Sequence, residues 1–197
     1  MSLNFKAPRG GRSFEIKIDS SFTSEQRQAI VSAGRRWEKV SNHLVRFTFE
    51  DIDLGQSFNP LLETEDMYED NFATVGYHHK TVVIWNATTK DIRIYLMDAM
   101  VGFPILGLAP GRYIALVPER MRSLQEFEST AVHEFGHLMG IGHTVSTMTS
   151  EGSANCITPI DMMQFCEVYD CSITHPSAEC QTISARPLRP FSIDTPH

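Results

Sequence analysis

Apolar and polar residues alternate through Phe14-Glu15-Ile16-Lys17-Ile18, the period-two pattern of a half-buried strand. Thr23 followed by Gln26 has the spacing of a capping box and opens a long helix, with a core stripe through Ile30, Gly34, Trp37 and Val40. Leu44 to Phe49 reads as a second strand. Thr81 to Trp85 reads as a third, apolar enough for a central position, and Ile92 to Leu96 marks a further one. The apolar run at 101–109 contains Pro104, which cannot donate to a ladder. The pattern predicts an edge strand or bulge there, with an ordinary buried strand as the alternative. Tyr113 to Val117 reads as a central strand leading into a helix from about Ser123. Past Gly140 the chain turns to short loops until Pro159–Tyr169, a C-terminal helix with Met162, Phe165 and Tyr169 at core spacing.

Residues 55–80 carry no clear period. Glu63, Glu65, Asp66, Glu69 and Asp70 make them acidic, but without the ligand spacing of an EF-hand. A solvated loop or short helix is the plain reading, with calcium binding as the alternative. His78 and His79 are adjacent and would face opposite sides of a strand, so they make poor joint ligands.

The chemistry concentrates in His133-Glu134-Phe135-Gly136-His137-Leu138-Met139-Gly140-Ile141-Gly142-His143. Residues four apart on a helix share a face, so His133 and His137 can present two imidazoles to one metal ion. Gly140 lets the chain leave the helix through a positive-φ turn, returning His143 as third ligand. Three nitrogens leave a fourth tetrahedral position open, the arrangement of a catalytic zinc site. Glu134 is suited to act as general base on a zinc-bound water as it attacks a carbonyl. Given this composition, five such fixed positions coincide on the order of once in 10⁴ random sequences.

These eleven residues resemble the extended motif of the metzincin zinc endopeptidases. Thr144 after the third histidine, Ala109-Pro110-Gly111 upstream and the helix opening Glu128-Ser129-Thr130-Ala131-Val132 resemble the matrixin branch in particular. Element order extends a weaker similarity over roughly residues 13–170. The resemblance implies an α+β zincin-like fold: a twisted mixed sheet with an edge strand over the cleft, a long N-terminal helix, an active-site helix and a small C-terminal subdomain with one helix. It implies one catalytic domain over residues 13–183, its lobes meeting at about 140–141, with tails at 1–12 and 184–197. Met148 would be the methionine turn beneath the zinc. Phe103, Ile105, Gly107, Leu108 and Ala109 would hold an extended substrate by strand addition. The segment from Thr149 to Ala154 would build most of the pocket for the residue after the cleaved bond.

The chain also departs from the matrixin pattern. Met148 follows His143 by only five positions. Leu106 stands where matrixins place a histidine of a second, structural zinc site, so one zinc ion is expected. Ser150 stands where astacins and serralysins place a tyrosine ligand. No cysteine precedes Cys156, so the matrixin cysteine switch is missing.

Composition narrows the setting. The 197 residues fit one domain, or one domain of two lobes. With 42% hydrophobic and 21% charged residues, the balance is that of a chain able to bury a core. Seventeen basic against 24 acidic residues give −7 and no basic cluster, which disfavours nucleic acid and anionic membrane. No apolar run reaches the length of a transmembrane helix, and residues 1–12 lack the apolar core of a secretion signal. Cys156, Cys166, Cys171 and Cys180 lie within 25 positions, at spacings that match no zinc ribbon or C-x-x-C motif. Two disulfides are the leading reading, with three pairings open; free thiols or metal ligation are the alternatives. Disulfides would place the protein in an oxidising compartment, secreted or periplasmic with its signal removed. The expectation is a monomeric zinc-dependent endopeptidase acting on protein or peptide substrates. Two alternatives remain: a protein of the same fold that binds a partner without cleaving it, or an enzyme with one target protein.

Overall fold

The structure is a computed structural model that describes residues 11–55, 81–90, 107–108, 113–143, 156–171 and 179. Met148, Thr144, the strand expected at Ile92 to Leu96, most of the 55–80 insertion, and Phe103, Ile105 and Ala109 lie outside them. The architecture is α+β. Strand β1 (Arg12–Asp19) leads to helix α1 (Ser24–Val40), then to β2 (Val45–Ile52) and β3 (Thr81–Asn86). The short β4 (Gly107–Leu108) and β5 (Tyr113–Leu116) complete one five-stranded sheet in the order β2-β1-β3-β5-β4. A 3-10 turn at Pro118–Arg120, helix α2 (Leu124–Leu138) and helix α3 (Pro159–Tyr169) follow.

Four strands run parallel, and β4 alone pairs antiparallel, Gly107 opposite Leu116 and Leu108 opposite Ala115. The alternation at Phe14, Ile16 and Ile18 points all three side chains into the core. β3 and β5 are interior strands, and every residue of β5 is buried. β4 borders the described sheet, in keeping with the proline-marked edge expected at 101–109.

Helix α1 begins as its sequence predicts. The Thr23 hydroxyl accepts from the Gln26 amide at 3.2 Å, and the Gln26 side chain accepts from the Thr23 amide at 2.9 Å. Ile30, Gly34, Trp37 and Val40 are buried as expected, joined by Ala29, Ala33 and Glu38. Gly34 is where α1 comes close to β2 and α2. A methyl group there would lie 2.7 Å from the Phe49 ring and 3.5 Å from that of Phe135.

Glu38 is a buried charge with a structural task. Its carboxylate accepts from Arg35 Nη1 at 2.6 Å and from the Phe47 amide at 2.6 Å. Among the described residues β2 ends the sheet, and Glu38 satisfies this amide in place of a neighbouring strand.

One core unites sheet and helices, including Phe14, Trp37, Phe47, Phe135 and Phe165. Phe47 of β2 meets Phe135 of α2 edge-on at 5.1 Å, and Trp37 of α1 stacks on Phe165 of α3 at 6.4 Å. Helix α3 spans the expected residues, with Met162, Phe165 and Tyr169 buried. Cys166 and Cys171 form a disulfide at its C-terminal end, and Cys156 is also disulfide-bonded. Cys180 lies outside the described residues. No helix among the described residues is long and apolar enough to cross a membrane.

Candidate metal centre

Helix α2 is buried around most of its circumference, which fixes the direction of its polar side chains. Ser123 caps it, accepting from the Glu126 amide at 3.1 Å. Phe127, Ala131, Phe135 and Leu138 supply its apolar stripe at 3.6-residue spacing. Phe22 meets Phe127 edge-on at 5.8 Å. From α1, Trp37 Nε1 donates to the Val132 carbonyl at 2.9 Å, one residue before the first histidine. The helix therefore cannot roll without breaking core contacts and a buried hydrogen bond.

His133 and His137, one turn apart, emerge on the same side. His137 Nε2 lies 3.0 Å from His133 Nε2 and 3.2 Å from His143 Nε2. Ligand atoms held about 2.0–2.1 Å from a tetrahedral zinc ion would stand about 3.3 Å apart. Imidazole pairs at these distances can share a hydrogen bond, and the same spacing suits ligands of one ion. Together the three residues could hold one metal ion. His133 is buried, His137 half-buried and His143 exposed, so the cluster opens to solvent on the third ligand's side.

The turn that returns His143 has the expected backbone. Met139 ends the helix and Gly140 takes φ = +85°. The Gly140 amide donates to the His137 carbonyl at 2.9 Å, and the Ile141 amide to the Gly136 carbonyl at 3.0 Å. That pair of bonds is a Schellman motif, which needs a left-handed residue at Gly140. The same turn orients a ligand. His137 Nδ1 lies 2.9 Å from the Ile141 carbonyl oxygen. A carbonyl only accepts, so Nδ1 carries the proton and Nε2 is left with its lone pair for a metal. Burial, followed by the charge of His133, pushes His137 down to about 4, so the ring is neutral at physiological pH.

Glu134 is 4% exposed, and its Oε2 is buried with no hydrogen-bond partner. Burial pushes its carboxyl up to about 8. Glu134 and His137 are three apart on α2 and so share a face. A desolvated carboxyl left unsatisfied costs stability unless a cation or an approaching water answers it. Three imidazole donors, with a buried carboxyl next in sequence to the first of them, fit a divalent cation of the zinc type, and nothing in the donor set opposes it.

The structure thus brings His133, His137 and His143 together and buries Glu134, the residue after the first of them. Gly107 and Leu108 form β4, which lies alongside α2 as well as β5. Met148, Phe103, Ile105 and Ala109 lie outside the described residues, so no position is assigned to them.

Several supporting contacts had no local signature in the sequence. The Trp37–Val132 bond and the ion pairs of Arg36 join residues 92 to 143 positions apart. One support was readable. Thr158 and Asp161 form a second capping box at α3, and the spacing T-x-x-D marks it.

No protein-family model matches this chain, and no curated protein matches it in sequence. What the chain itself offers is three imidazoles that could hold one metal ion, a buried carboxyl on the helix that carries two of them, and one disulfide at the last helix.

Proposed function

We propose that the chain is a zinc-dependent endopeptidase of matrixin-like metzincin type. The convergence of three imidazole Nε2 atoms beside the desolvated Glu134 carries this reading. The eleven-residue motif supports it, and so does the sheet. Four parallel strands with an antiparallel border strand alongside the ligand helix form a mixed α+β sheet, which supports the reading.

A bound zinc ion would polarise the scissile carbonyl and acidify the attacking water. Glu134 accepts that water's proton and delivers it to the leaving amine, because it is the one buried carboxyl of the helix that carries His133 and His137. His137 is held in its ligating tautomer by the Ile141 carbonyl. β4 offers a substrate an extended backbone to pair with, next to α2, so the peptide adds itself as one more strand. Cys156, Cys166 and Cys171 are all disulfide-bonded, which supports an extracellular or periplasmic working place.

The test is cleavage of a mixed peptide library with and without a chelator. Cleavage is expected to stop on metal removal and return with zinc. Cleavage that persists in the stripped protein would sink the reading. Zinc binding with no cleaved peptide would favour partner binding or a single protein target.

A further inference from the structure

Trp37 is the largest fully buried side chain among the described residues, and packing accounts for its ring but not for the direction of its one polar atom. Its Nε1 donates to the Val132 carbonyl at 2.9 Å, across 95 positions of sequence. Inside an α-helix a carbonyl already accepts from the amide four residues on, which for Val132 is that of Gly136. The Trp37 bond is therefore additional to the ladder of α2 and uses the carbonyl's second lone pair. It falls on the peptide group that joins Val132 to His133, in the turn that spaces His133 from His137.

Helix α1 grips α2 at a second point on the same face. Ser32 Oγ and Arg36 Nη1 both donate to Glu128 Oε1, at 2.8 and 3.3 Å, and Glu128 lies one turn before Val132. The turn beyond α2 is anchored on its own, because Met139 and Ile141 are buried in the core at 0% and 2% exposure. A roll of α2 would swing His133 and His137 relative to that turn. The nitrogens that meet at 3.0 and 3.2 Å would then part. We infer that Trp37 is a positioning residue for the metal centre: its N–H fixes the rotation of α2, so that His133 and His137 face His143 before a metal arrives. Ligands ordered in advance lose less freedom on binding, so the bond raises metal affinity as well as stability. The inference rests on the metal-binding part of the proposed function and not on peptide cleavage.

The test is Trp37→Phe, which keeps an aromatic ring against Phe165 and removes the donor. Where that variant does not fold, the benzothiophene analogue of tryptophan at position 37 keeps the shape and puts sulfur in place of N–H. Val82→Ala, which opens a cavity at a fully buried position of β3, controls for lost stability. Without the indole donor, zinc affinity by chelator competition should weaken about tenfold. The visible d–d bands of the cobalt-loaded protein, which report ligand geometry, should shift as well. Val82→Ala should keep the parent's zinc affinity and cobalt bands despite a lower urea midpoint. Parent zinc affinity or parent cobalt bands in a folded protein lacking the donor would overturn the inference. So would an equal loss of affinity in Val82→Ala, which marks general destabilisation. A parent that binds zinc but cleaves no peptide sinks the peptidase reading and leaves this test in force. A parent that binds no zinc overturns both.

Discussion

At the scale of single residues, the centre is built from groups whose protonation the fold has shifted in opposite directions. His137 is held at about 4 and Glu134 at about 8 before any metal binds. Between pH 6.5 and 4 the unfolded chain takes up a proton that folded His137 refuses, so stability falls as pH drops through that window. Between pH 4.5 and 8 folded Glu134 keeps a proton that the unfolded chain releases, so stability falls as pH rises through that window. Above pH 6.5 only the second effect remains. Protein stripped of metal is therefore expected to lose about 1 kcal/mol between pH 6.5 and 8. A cation beside Glu134 favours its charged form, so zinc-loaded protein should not show this loss. Urea midpoints at the two pH values, with and without zinc, check both halves. A metal-free protein equally stable at pH 6.5 and 8 would contradict the burial of Glu134. The identities of the four residues were legible from their spacing. The shifts of His137 and Glu134 were not, because they depend on burial in the assembled fold, which no local pattern states.

At the scale of elements, the joint between α2 and His143 depends on one backbone conformation. Gly140 sits at φ = +85°, where a Cβ costs about 1–2 kcal/mol. Gly140→Ala should lower stability by that amount and weaken zinc binding about tenfold, since strain in the turn displaces His143. Gly142→Ala is the control, because a Cβ there meets nothing within 4 Å. Chelator competition on the two variants decides it, and equal zinc affinities would show that the turn does not place the third ligand. This turn was readable because only glycine suits a left-handed residue between helix and ligand. The capping box of α1, the edge character of β4 and the span of α3 were readable for the same kind of local reason. Glu38 was not. It lies on the buried face of α1 among apolar residues, and its use appears only once the Phe47 amide is known to stand at the sheet's border. The order β2-β1-β3-β5-β4 was equally hidden, since strand neighbours are set by side-chain packing across the sheet and not by sequence order.

At the scale of the whole molecule, the sheet and α1 form the frame, α2 presents the ligands, and α3 with its disulfide closes the core against Trp37. The Cys166–Cys171 bridge spans five positions, and closing so short a loop stabilises by about 2 kcal/mol in the chain-entropy account. Replacing both cysteines by alanine should cost about that much by urea denaturation and leave zinc content unchanged. A loss of zinc in this variant would mean that α3 shapes the metal site more directly than its packing suggests. The motif could be found without the fold, but its environment could not. Burial lowers the His137 ring and desolvates the Glu134 carboxyl, and the antiparallel border strand lies alongside the helix that carries them. The central claim is that Glu134 moves the proton while the histidines hold the metal. Glu134→Gln, nearly the same in shape, separates the two roles. Measured together, zinc content should remain one ion per chain, and peptide turnover should fall by about 10²–10⁴-fold against the parent. Turnover at the parent rate with zinc still bound would contradict the account.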